Sequence, residues 1–241
     1  AHGVSPFGAR GANSGVQDAD NLAWKLSLVL RGHAPDALLD TYASEREYAA
    51  DENILNSTRA TDFITPKSEI SRLFRDAVLD LSREHTFARA LVNSGRLSVP
   101  ATLHASTLNT PDSAHFDGRM SPGAAAADAP VVRPDGRDGW LLRELGDGFA
   151  LMIFDSDAPL PVESLPGAPI TVIRVDPCGH APRADHLVDR DGAIAERYDL
   201  LPGSLVLFRP DQHVCARWRQ PSVEAVQHAQ QRALAWPGVP A

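Results

Sequence analysis

The residues best placed to do chemistry stand near the start of the chain, in Pro6-Phe7-Gly8-Ala9-Arg10-Gly11-Ala12-Asn13-Ser14-Gly15, where three glycines fall within eight positions. The run leads straight into a helix opening Val16-Gln17-Asp18, within a helical pattern predicted from Asn13 to about Leu30. Glycine tolerates positive φ and has no Cβ, so such a loop brings backbone close to a ligand. The first N–H groups of the helix have no internal partner and concentrate about half a positive charge, which favours an anionic or electron-rich group. The spacing G-x-x-G-x-x-x-G is neither a Walker loop nor the dinucleotide fingerprint. A tight loop ending in an ordinary helix cap is the alternative.

Other chemistries find less support. Cys178 and Cys215 are the only cysteines, and they form neither a C-x-x-C pair nor, with the scattered histidines, a ligand cluster. Disulfide, thiol-redox and metal sites are therefore not expected. Cys178 reads as part of a turn and Cys215 as a buried strand position. No Ser/His/Asp order carries the context of a nucleophile elbow. His2 lies beside the loop, where a packing role is equally open. Asp189-Arg190-Asp191-Gly192 reads as a hairpin turn with solvated carboxylates. Trp140, Trp218 and Trp236 are expected to be core or interface anchors.

A formal net charge of −8, from 31 acidic and 23 basic residues with no basic run, gives no footprint for nucleic acid or an anionic membrane. The longest apolar stretch, Leu22 to Leu30, is broken by Lys25 and too short to span a bilayer, and no secretion signal is visible. A cytoplasmic protein is expected. The chain opens on Ala1-His2 with no methionine, which leads to the expectation of a truncated or processed product.

The elements that must position the loop are helical at first. Val16, Ala19, Leu22, Ala23, Leu26, Val29 and Leu30 recur at helical spacing, and Arg31-Gly32 is a stop. A second helix opens near Pro35-Asp36 and runs toward Thr61, with Pro66 ending or bending it. Helical patterns follow over 69–81 and 84–94, with Gly95 as a cap. Residues 98–139, rich in proline and alanine, read as a linker or irregular wrapping segment. Strand-like runs then appear over 149–154, 170–175, 186–188, 205–208 and 214–218, with a short helix over 141–145 and a terminal one over 223–234. That order suits a small α/β sandwich.

Ala1-His2, Pro6, Gly8, Gly11, Asn13, Gly15, Asp18 and Asn21-Leu22-Ala23-Trp24-Lys25-Leu26 resemble the last flavin motif of the class A FAD-dependent aromatic-ring monooxygenases. This family includes para-hydroxybenzoate, phenol, phenylpropionate and polyketide hydroxylases. Tyr42-x-x-Glu45-Arg46 resembles the family's next helix. Gly203 to Phe208, Arg209-Pro210-Asp211, His213-Val214 and Arg217-Trp218 resemble its C-terminal thioredoxin-like domain. The resemblance implies an α/β chain in three parts. Residues 1–97 are the C-terminal helical part of a para-hydroxybenzoate-hydroxylase-like FAD-binding domain, 98–139 are a linker, and 140–241 are a thioredoxin-like domain without C-x-x-C.

The resemblance also implies a reaction in which NAD(P)H reduces FAD and dioxygen is used to hydroxylate a phenolic aromatic substrate. Carried over by position, Gly11, Ala12 and Asn13 would face the pyrimidine end of the flavin ring. The Pro6 carbonyl would sit at its reacting edge as the catalytic contact, with Phe7 and Gly8 shaping the substrate pocket. Arg10 would add charge near the cofactor or stand as a solvated loop cation. Asp18 and Asn21 are read as braces for the helix. The sequence departs from the family in lacking a G-x-G-x-x-G strand and the Gly-Asp pair expected before Ala1. The expectations are therefore a missing N-terminal FAD- and substrate-binding polypeptide, whether separate, cleaved or not included, weak or no FAD binding by this chain alone, and self-association into a homo-oligomer. A redox-inactive, non-catalytic binding or scaffold protein is the competing reading.

Overall fold

A computed structural model describes residues 11–92, 99–158 and 168–238. The chain divides into two compact units, residues 1–19 with 46–101, and residues 20–45 with 102–241. The first two helices, α1 (Gly11–Leu30) and α2 (Ala37–Ile64), each contribute to both. Helix α1 ends as its sequence requires. Gly32 adopts φ 72°, and the amides of Gly32 and His33 close on the carbonyls of Val29 and Leu28. Pro66 stands two residues past the end of α2, where proline disfavours further helix.

In the first unit, α2 is followed by α3 (Glu69–Ser82) and α4 (Thr86–Val92). Ser68 caps α3 by accepting a hydrogen bond from the Ser71 amide. The helix expected over 84–94 is described only over Thr86–Val92, and Gly95 lies outside the described residues.

The second unit is built on a seven-stranded sheet. Its strands are β1 (Pro130–Val132), β2 (Asp138–Trp140), β3 (Phe149–Phe154), β4 (Ile170–Asp176), β5 (His186–Asp189), β6 (Leu205–Phe208) and β7 (Val214–Trp218). They lie in the order β2-β1-β5-β4-β3-β6-β7. Strands β3, β4 and β5 are parallel, and β6, β7 and β1 join antiparallel. Strand β3 is buried at all six positions because the sheet is covered on both faces, which is why it reads as an unbroken apolar run. Its side chains alternate. Phe149, Leu151 and Ile153 enter one core with Trp24, Leu38 and Trp218, and with Val226 of α7 (Val223–Ala233). Ala150, Met152 and Phe154 enter the other with Leu141 and Leu145 of α5 (Leu141–Leu145) and Ile194 and Tyr198 of α6 (Ala193–Tyr198).

Three expectations are corrected. Helix α1 begins at Gly11, so the last five residues of the expected loop are helical. Strands β1 and β2 arise within or at the edge of the segment expected to be irregular, where Pro130-Val131-Val132 pairs with β5. Asp189-Arg190-Asp191-Gly192 is a strand-to-helix turn and no hairpin. Asp189 is fully buried and accepts hydrogen bonds from the Ile194 and Ala195 amides, capping α6. Of the three tryptophans expected as core or interface anchors, Trp218 is buried in the core, and Trp140 and Trp236 are exposed.

Candidate functional site

Gly11, Ala12 and Asn13 form the first turn of α1, with Ala12 and Asn13 exposed. No acidic side chain stands in that turn to neutralise its free N–H groups. A Cβ built on Gly15 meets no atom within 4 Å. The turn is thus small and positively polarised. Pro6, Phe7, Gly8, Arg10 and His2 lie outside the described residues.

The turn is held from below by polar side chains. Ser14 and Asp18, one helical turn apart, are both buried. Ser14 accepts a hydrogen bond from Asn53 of α2 at 3.3 Å, and Asp18 pairs with Arg46 of α2 at 2.7 Å. Asp18 therefore braces the helix, as its position suggested. This pairing also explains why helix extends back to Gly11, since two points one turn apart fix the N-terminal segment against α2.

A second polar group closes inside the other unit. Arg209, in the turn after β6, donates to Glu45 at 2.6 and 3.1 Å and to Asp211 at 3.0 and 2.6 Å. Glu45 also accepts from Lys25 and Asn21, each at 2.8 Å, and from Ser106. Asn21 shares its amide with Asp211 at 3.0 Å. All five principal residues are buried, Lys25 completely. The Trp24 ring lies against both cations, 5.7 Å from Lys25 Nζ and 5.2 Å from the Arg209 guanidinium carbon.

Burial shifts these groups in different directions. It raises the Glu45 carboxyl, but Arg209 and Lys25 outweigh it and hold the pKa at about 2. It lowers Lys25 to about 8, with the Arg209 charge adding to the effect and Glu45 opposing it. Asp211 stays well below the usual carboxylate range because the Arg209 charge overcomes its burial. Sequence reading quoted Lys25, Glu45, Arg209 and Asp211 separately and did not bring them together. The available signal was Lys25 itself, a lone cation within an apolar helical run.

Cys178 is exposed in its turn with its thiol on the Arg190 carbonyl, and Cys215 is buried in β7 with its pKa pushed up to about 12 by burial. Among the described residues no group of three or more His, Cys, Asp or Glu side chains could hold a metal ion. No described helix is long and apolar enough to cross a membrane.

Residues 1–57 match the FAD binding domain family. Over 229 residues the chain is 31% identical to 6-methylpretetramide 4-monooxygenase of Streptomyces rimosus, covering 90% of this chain and 40% of the relative. It is also 31% identical to 4-methyl-5-nitrocatechol 5-monooxygenase of a Burkholderia species, covering 91% and 39%. The fold matches the flavin-dependent monooxygenase PieE, solved with FAD and substrate, at TM-score 0.72 and 22% identity over 97% of this chain and 46% of that one. It matches aklavinone-11 hydroxylase, solved with FAD and aklavinone, at TM-score 0.67 and 22% identity over 96% and 42%. Along most of its length the chain is similar to these monooxygenases, and it spans about two fifths of the length of the curated relatives it matches.

Proposed function

We propose that this chain is the C-terminal part of an FAD-dependent monooxygenase that hydroxylates a phenolic aromatic substrate at the expense of NAD(P)H and dioxygen, in the cytoplasm. The observation that carries the reading is the small, positively polarised first turn of α1 within the residues that match the FAD binding domain family. When bound, FAD supplies the electron transfer and oxygen activation. The chain's own part is to hold and polarise it. The amides at Gly11, Ala12 and Asn13 stabilise negative charge on the pyrimidine end of the ring, and Ser14, Asp18, Arg46 and Asn53 keep that turn rigid. Pro6, Phe7, Gly8 and Arg10 are assigned the reacting edge and pocket by resemblance.

The proposed organisation is a flavin-domain portion over 1–97, a connecting segment over 98–139 and a thioredoxin-like domain over 140–241. Support for the last comes from the strand arrangement β4-β3-β6-β7, with a parallel pair, an antiparallel hairpin and a closing helix α7. The test is made on the enzyme that carries this chain. Reduced nicotinamide should be consumed faster when a phenol is added, and the product should gain one oxygen atom derived from labelled dioxygen. Consumption that no phenol stimulates, with no oxygenated product, would refute the reading.

A further inference from the structure

Helix α1 is one uninterrupted element from Gly11 to Leu30. On its second half Asn21 and Lys25 are buried, four residues apart and so on one face. Both donate to Glu45, and Asn21 also donates to Asp211. Arg209 grips the two carboxylates together. Among the described residues the Lys25 ammonium, with three donors, has Glu45 as its single hydrogen-bond acceptor, whereas Arg209 makes four hydrogen bonds.

Net stability does not explain this arrangement, because a buried ion cluster is commonly matched or exceeded by apolar residues of the same volume. Register does. The two carboxylates receive an amide from position 21 and an ammonium from position 25. Sliding the helix by one turn would present the wrong donor to each and leave buried charge unpaired.

We propose that the Arg209–Asp211 pair is a positioning element for α1, setting its rotation and axial height through Glu45 and Asn21. The first turn, whose amides face the flavin on the reading above, stands about ten residues and roughly 15 Å back along the same helix. Only that consequence rests on the flavin reading. The hold on α1 does not.

Hydrogen exchange on the full chain tests the hold. Lysine keeps the charge of arginine but cannot span two carboxylates at once. In Arg209→Lys the amides of residues 22–28 should exchange about tenfold faster than in the wild type, roughly 1.4 kcal/mol of local opening. Those of Leu151 to Ile153 in the central strand should be unchanged. Equal acceleration in both places means general destabilisation and overturns the proposal, as does no change in either. Should that variant fail to fold, Asp211→Asn, of the same shape, is read in the same way. In the FAD-loaded enzyme, a shifted flavin absorption band in Arg209→Lys supports the link to the cofactor, and an unchanged band beside a loosened α1 overturns that link. A wild-type enzyme that binds no FAD sinks the flavin reading and leaves exchange to decide the hold.

Discussion

The turn after β6 hides Arg209 and Asp211 at 1% and 6% exposure, whereas α3 leaves Ile70 and Leu73 exposed at 81% and 73%. In the first region charge is inside, and each ionised group is paired. In the second, large apolar side chains are outside, and only Val78 of α3 is buried. Buried charge is costly unless its geometry is fixed, so the first region should respond steeply and selectively to substitution. Exposed apolar residues have little burial to lose, so the second should respond weakly.

The largest effect is expected for Arg209→Ala. It leaves Glu45 and Asp211 enclosed without their shared cation, a change that costs about 3–5 kcal/mol in buried pairs. Urea unfolding at neutral pH measures it, and a loss below about 1 kcal/mol would show that the cluster holds little. The contribution of Glu45 also has a pH signature. Its folded pKa lies below the ordinary 4.5, so the stability it provides is present above that value and is lost as pH falls toward 2.

Close behind comes Leu151→Ala in β3, a purely apolar site buried in the core below α1 and α7. It should cost about 2–5 kcal/mol through lost contacts and the cavity left behind. Unlike the cost of Arg209→Ala, its cost should not change as pH falls from about 5 toward 2. A matching pH dependence at both sites would erase the distinction drawn between charged and apolar burial.

The sequence displayed these two kinds of site unequally. Strands β3, β6 and β7 were legible because apolar residues buried on both faces form compact runs bounded by turns. Strands β1 and β2, three residues each, were not, since Pro130 and Gly139 are weak strand formers whose pairing is decided by β5 and tertiary context. Asp189 was misread for a related reason. An Asp-x-Asp-Gly turn is compatible with a hairpin, and only the burial of Ile194 behind it makes its carboxylate a helix cap. At the candidate site, the glycine-rich run and its helix were legible locally, while the Lys25–Glu45–Arg209 cluster joins residues up to 184 positions apart and has no local signature.

Lys25→Met separates cost from specificity within the cluster. The folded pKa of Lys25 is about 8 against an ordinary 10.5, so between those values the unfolded chain binds more protons and stability rises with pH. The total is about 3 kcal/mol. Below pH 8 the charged lysine is held at that cost. Methionine removes it, so the variant should be as stable as the wild type or more so at pH 7, and the difference should shrink as pH rises from 8 to 10. Thermal melts across that range measure it. A variant several kcal/mol weaker at pH 7 would mean that the Lys25–Glu45 contact is worth more than the burial of its charge.

The smallest effect belongs to the exposed helix. Phe74 lies on the same stripe of α3 as Ile70, Leu73 and Leu81, and it is 59% exposed. Replacing it with serine removes apolar surface that is mostly in water already, so the lost transfer energy is a fraction of the value for a buried phenylalanine. Serine has a slightly lower helix propensity than the best helix formers but close to that of phenylalanine itself. The net change in unfolding free energy should stay within about 0.5 kcal/mol. Solubility should rise, because the substitution interrupts a contiguous apolar stripe. Urea titration and a solubility limit measured on the same preparation separate the two quantities. A stability loss above about 2 kcal/mol would show that Phe74 is covered in solution, and the contrast between a paired interior and an uncovered helix face would then fail at α3.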